Sequence, residues 1–214
     1  MPSSRTIDSQ LESSRIAITG AKEHSEIKKL LARMGYNDKK MDEGSVLVTS
    51  TQEFGAQQAE SYGLQKASTA RLQQERNLLK AMYQEHLALA RVALKGDIIA
   101  GDILRLWGAR QRDTAGWLAQ VSEFYTHASR YSEILGQYAI NPAEIAQGQA
   151  MIQAIKEARV LQARHRSDAQ IATQRRRQTF NELRAWMQEF NAITRVALKD
   201  EPQYLEALGQ VVKS

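Results

Sequence analysis

The pentapeptide Arg91-Val92-Ala93-Leu94-Lys95 returns unchanged as Arg195-Val196-Ala197-Leu198-Lys199, which is 195 minus 91, or 104, positions later. Sliding the sequence against itself by that offset aligns 37–95 with 141–199 without a gap, and 19 of the 59 aligned positions are identical. The identities include Asn37 with Asn141, Gly44 with Gly148, Gln58 with Gln162, Thr69 with Thr173 and Leu79 with Leu183. A self-match at one fixed offset is the signature of an internal repeat. It predicts an all-α protein: an elongated helical bundle or antiparallel coiled coil built from two short-helix plus long-helix units about a pseudo-two-fold axis.

Working outward, Asn141-Pro142-Ala143-Glu144 combines a capping side chain, proline at the first helical position and glutamate at the third, which together specify a helix start. Asn37 is its counterpart. From Pro142 to Lys199 there is no further proline and one glycine, Gly148, while Ala, Gln, Arg and Glu dominate, so the segment favours helix throughout. Either one long helix or two helices meeting near 164–168 would satisfy it. Ile145, Ile152 and Ile155 make one apolar stripe and Phe180, Leu183, Met187, Phe190 and Ala197 another, at heptad-like spacing. Met41, Val48, Leu79, Met82, Leu89 and Ala93 repeat the pattern in the first copy. The small residues Ala56, Ala59, Gly63, Ala67 and Ala70 between them predict a close crossing of the two long segments.

Shorter elements flank these. Ile27, Leu30, Leu31 and Met34 recur at helical spacing, and Gly35-Tyr36 reads as a left-handed stop. Asp113 or Thr114 should cap a helix whose buried face runs through Trp117, Leu118, Val121, Phe124, Tyr125, Ile134, Leu135 and Tyr138, and this helix should correspond to the Ile27 element. At the end, Leu205 to Gly209 matches Leu104 to Gly108 if three residues are deleted. The resulting division is a flexible arm over 1–12, a first helical repeat over 13–108 and a second over 109–214, both halves forming one body.

The 214 residues are 43% hydrophobic and 25% charged, with three prolines, which are globular values and exclude a disordered chain. No cysteine is present, so disulfides, thiolate metal sites and a cysteine nucleophile are excluded. No signal-peptide core or membrane-length apolar run occurs, and a soluble, cytoplasmic protein is expected. The net charge of +5 is a mild basic excess compatible with an anionic partner but common without one.

Signatures of catalysis are missing. The histidines are His24, His86, His127 and His165, and the Glu-x-x-His pairs of di-iron bundles are not among them. His86 aligns with Phe190 and His165 with Ser61, so no histidine is shared between copies; His86 is expected in the core or at its boundary, and His127 and His165 in solvent. Phosphate-cradling glycine motifs and nucleophile elbows do not occur. No enzyme activity, cofactor or metal is expected.

Two features suggest partners. Arg164 and Arg166 recur as Arg175 and Arg177 eleven residues later, about three helical turns, with Arg176 adjoining, so both pairs are expected on nearly one face as a ridge able to follow phosphates. Interspersed Glu157, Asp168, Glu182 and Glu189 favour the alternative of a solvated or interhelical face. Trp107 and Trp117 flank a glycine turn and read either as core or as a partner patch. The repeated pentapeptide itself reads as structural: valine and leucine pack into the bundle end, and Arg and Lys complement the helix carboxyl terminus.

The ending from Phe190 to Gly209, with Gly116-Trp117-Leu118 and Phe124-Tyr125, resembles a widespread group of bacterial all-helical proteins that carry no established activity. The resemblance implies a bacterial, all-helical protein and transfers no function. The function expected is therefore a non-enzymatic helical scaffold or interaction protein, self-associating or bound to another helical protein. The alternatives are a nucleic-acid-binding protein using the arginine ridge, and a subunit of a larger bacterial assembly or filament.

Overall fold

The computed structural model describes residues 6–209. It is all-helical, with no strand among those residues: α1 (Ile7–Glu23), α2 (Ser25–Arg33), α3 (Asp38–Ala93), α4 (Ile98–Ile103), α5 (Thr114–Ala128), a 3-10 turn (Ser129–Tyr131), α6 (Ser132–Gly136), α7 (Pro142–Ala197) and α8 (Gln203–Ala207). The two long helices, α3 and α7, each run for 56 residues without a break. Both ends of α7 lie 104 positions after those of α3, since 142 − 38 and 197 − 93 are both 104.

The helix starts follow from side chains that satisfy orphan backbone N–H groups. Asn141 Oδ1 accepts from the backbone N–H of Ala143 at 2.9 Å and of Glu144 at 3.1 Å. Asn37 Oδ1 accepts from Lys40 N–H at 3.1 Å, and Asp113 Oδ1 from Gly116 N–H at 2.8 Å, which settles Asp113 as the cap of α5. The stop after α2 is as read: Gly35 has φ 87°, and Tyr36 N–H donates back to Leu31 O at 3.0 Å. After α6 the same bond, Ile140 N–H to Leu135 O at 3.1 Å, forms with Ala139 in the left-handed region at φ 64°.

The chain divides into two compact units, residues 1–62 with 167–214 and residues 63–166. These do not follow the expected division at 108. Each unit takes one half of α3 and the opposite half of α7. In the first unit, α1, α2 and the start of α3 enclose Leu11, Ile18, Ile27, Leu31 and Met41 with Trp186 and Phe190 of α7. In the second, Leu79, Tyr83 and Leu87 of α3 join Phe124 and Tyr125 of α5 and Ile152 and Ile155 of α7. The two long helices pack against each other in opposite directions within each unit. In the first, Gln58 Nε2 donates to Thr173 Oγ1 at 3.1 Å; in the second, Gln162 Nε2 donates to Thr69 Oγ1 at 3.3 Å. These two bonds involve the same residue pair displaced by 104 positions in each chain segment.

Several expectations are overturned. Helix α1 begins at Ile7, with Thr6 Oγ1 accepting from Ser9 N–H at 3.2 Å, so the arm expected over 1–12 is helical from Ile7 onward; Met1 to Arg5 lie outside the described residues. The small residues Ala56, Ala59, Gly63, Ala67 and Ala70 are all exposed, and the buried line through the middle of α3 is Thr51 and Ser68. Alanine is a good helix former on any face, so its spacing does not reveal which face is covered. The helix expected from 114 through 138 breaks at 129–131, which shifts the phase and leaves Ile134 and Tyr138 exposed. At an offset of 104 positions, α5 (Thr114–Ala128) overlaps the range of α1, and the 3-10 turn with α6 overlaps that of α2. Leu104 and Leu208, 104 apart, are both buried residues closing α4 and α8.

Candidate functional site

Of the residues singled out from sequence, the arginines prove not to share a face. Arg164, Arg166, Arg175 and Arg177 are exposed, while Arg176 is half-buried. Residues two apart on a helix project about 200° apart, so Arg164 and Arg166 flank the half-buried His165 on opposite sides, as Arg175 and Arg177 flank Arg176. The eleven-residue recurrence preserves the direction of each arginine but does not gather the four into one ridge. Arg164 and Arg166 belong to the second unit, and Arg175 to Arg177 to the first. Arg176 is structural: Nη1 donates to Gln58 Oε1 at 2.9 Å, and Nη2 donates to Asp8 Oδ1 at 3.1 Å.

The tryptophans separate. Trp117 packs half-buried on the core of the second unit. Trp107 is 61% exposed, with the Arg91 guanidinium 5.3 Å from its ring centroid. In the repeated pentapeptide, Leu94 and Leu198 are buried as expected, whereas Val92 and Val196 face solvent. His86 is buried, its Nδ1 3.0 Å from the Tyr125 hydroxyl and its Nε2 3.6 Å from a Glu144 carboxylate oxygen. Burial outweighs the attraction of Glu144 and holds His86 below its usual range, so the ring is neutral at pH 7. His127 and His165, expected in solvent, each have a buried Nδ1 without a hydrogen-bond partner. No three His, Asp or Glu side chains among the described residues are placed to hold a metal.

One concavity of the second unit was not foreseen. A cleft of about 710 Å3 opens between the second half of α3 and the 105–112 loop that leads into α5. Its walls carry five cations, Arg76, Lys80, Arg91, Arg110 and Arg112, and no carboxylate. Local structure holds two of them. Arg110 Nη1 donates to the Tyr83 hydroxyl at 3.0 Å and to Arg105 O at 2.8 Å, its Nη2 donates to Leu106 O at 3.0 Å, and Arg91 Nε donates to the same Leu106 O at 2.7 Å. The loop can present its carbonyls inward because Arg105 and Gly108 both take positive φ, 47° and 87°. Arg76 lies 6.0 Å from the Trp117 ring centroid, and its Nε is buried without a hydrogen-bond partner. Tyr83 is pushed up from its ordinary pKa by burial, against the opposing pull of Arg110 and Arg91, and stays a neutral hydroxyl that accepts from Arg110. On α3, Arg76, Lys80, Tyr83 and Lys80's neighbour Gln84 recur at three- and four-residue steps, a spacing that marks one helix face and was the available sequence signal. Arg110 and Arg112 reach that face only through the fold of the loop.

Beside the cleft, α4 and the loop after it expose apolar surface. Ile98 is 79% exposed and Ile99 71%, and Trp107 lies against Gly101 of the same helix. No helix among the described residues is long and apolar enough to cross a membrane. No protein-family model, curated protein or solved structure matches the chain.

Proposed function

We propose that this chain is a non-enzymatic helical scaffold that associates with a second copy of itself through the α4 end of its second unit. The observation that carries the reading is the exposure of Val92, Ile98, Ile99 and Trp107 at 60, 79, 71 and 61% within sixteen residues of chain. Single exposed apolar residues are ordinary, but a group of large ones in one short segment marks an interaction surface. The fold does not require the two isoleucines. At the positions 104 residues later, Ile98 and Ile99 are replaced by Pro202 and Gln203.

The architecture we infer is a duplicated short-helix plus long-helix unit, its two long helices forming an antiparallel coiled coil in which the copies exchange halves. Supporting it are the identical lengths of α3 and α7 and the displaced pair of Gln–Thr hydrogen bonds. A self-complementary patch on such a chain closes into a two-fold dimer.

Sedimentation velocity of the full chain at micromolar concentration tests the assignment. A dimer that becomes a monomer in the Ile98→Glu/Ile99→Glu variant, with helicity unchanged, is the expected result. A wild-type chain that stays monomeric refutes it, and mass that grows without a plateau replaces the dimer by the filament alternative.

A further inference from the structure

We propose that the cleft lined by Arg76, Lys80 and Arg112 binds a small phosphorylated anion. The first ground is charge. Five cations face a common volume, and among the described residues none of them forms an ion pair with a carboxylate. Their mutual repulsion is relieved by a multivalent anion far better than by a single carboxylate. Arg110 is already committed to two carbonyls and the Tyr83 hydroxyl, and Arg91 Nε to Leu106 O. The donors left for a ligand are Arg76, Lys80 and Arg112, with Arg110 and Arg91 as a fixed positive floor. Guanidinium groups present paired donors in the geometry that phosphate oxygens accept.

The second ground is an internal comparison. The first unit has a cleft of about 320 Å3 lined by Phe180, Arg184, Met187, Gln188 and Asn191. Subtracting 104 turns these into Arg76, Lys80, Tyr83, Gln84 and Leu87, which all line the larger cleft. The same place in the helix framework therefore tolerates a phenylalanine where the second unit has Arg76, and among the described residues that line it Arg184 is the single cation. Arg76 is therefore not needed to build that place, so the charge it adds beside Lys80 in the second unit answers to something outside the fold.

The third ground is size and lining. About 710 Å3 is within the range of small-molecule sites, large enough for a phosphate ester of nucleotide size. Gln73, Asn77 and Gln84 add neutral donors and acceptors, and the Trp117 ring adds an apolar wall. A free polyphosphate and an organic phosphate share the recognising chemistry and differ only in what meets that wall.

The experiment is calorimetric titration of the full chain at low salt with tripolyphosphate and, in parallel, with ATP. Saturable binding of one anion per chain is expected, weakened at least about tenfold in Lys80→Gln/Arg112→Gln and unchanged in Lys39→Gln/Lys66→Gln, which removes two exposed cations elsewhere. ATP binding more tightly than tripolyphosphate assigns the Trp117 wall to an organic group; equal affinities assign the site to the phosphates alone. Absence of saturable binding overturns the proposal, as does equal weakening in both double variants, and so does tighter, many-sited binding of single-stranded DNA that ignores Lys80 and Arg112. Sedimentation of the same variants separates this result from self-association, because neither Lys80 nor Arg112 belongs to the α4 patch.

Discussion

Gly148→Ala and Gly63→Ala, the same chemical change in two long helices, should move stability in opposite directions. A methyl on Gly148 would lie 2.3 Å from Cε1 and 2.4 Å from Cζ of Tyr125, where ordinary contacts begin at 3.4 Å, so the ring must retreat by about 1 Å. That ring has nowhere easy to go. It is fully buried, edge-on to Phe124 at 5.1 Å between centroids, and its hydroxyl is 3.0 Å from His86 Nδ1. Overpacking against a rigid neighbour costs about 2–3 kcal/mol. Straining the His86–Tyr125 bond adds about 1 kcal/mol, and the better helix propensity of alanine returns about 1 kcal/mol. The net loss of about 2–3 kcal/mol corresponds to a Tm lower by roughly 4–12 °C in a chain of this size. Nothing lies within 4 Å of a methyl on Gly63, so there only the propensity gain remains, about 1 kcal/mol and roughly 2–4 °C upward. Circular dichroism melts with matching urea midpoints measure both. Gly148→Ala melting at or above wild type would refute the packing argument.

Two further predictions follow from the polar interior. His86 has a folded-state pKa held below its unfolded value, so the unfolded chain takes up the proton first; stability should fall as pH drops below about 6.5, and His86→Phe, the residue found at Phe190, should flatten that dependence in urea titrations run across pH 5–8. Arg176→Ala should cost about 1–2 kcal/mol, because Gln58 loses a charged donor inside the seam, whereas Arg175→Ala and Arg177→Ala on the exposed flanks should stay within about 0.5 kcal/mol by the same urea midpoints.

Where the reading from residues held, the determinants were local. Asn141-Pro142 caps α7 through hydrogen bonds to residues two and three positions away, and Gly35 turns the chain because a left-handed conformation there has no side-chain penalty. The stripes through Met41, Val48, Leu79, Ile145, Ile152, Ile155, Phe180 and Leu183 are buried, since large apolar residues at helical spacing have no favourable alternative. Where it failed, the residues were indifferent to their surroundings. Ala56, Ala59, Ala67 and Ala70 gain as much helix in water as in a seam, so nothing in their spacing distinguishes the two. Arg176 differs from Arg175 and Arg177 by neighbours 118 and 168 positions away, Gln58 and Asp8.

The sequence by itself determined that the chain is helical, where the two long helical segments begin, and which large apolar residues along them cannot face water, because capping and hydrophobic periodicity act over one or two turns; that each segment runs unbroken for 56 residues was left open by it. Only the tertiary structure decided that the compact units would cut each long helix in half, that Arg110 and Arg112 would meet Arg76 and Lys80 around one cleft, and that Ile98 and Ile99 would be left outside. Those outcomes depend on which distant segments share a core, and on a loop whose positive-φ residues aim its side chains, neither of which a local pattern encodes.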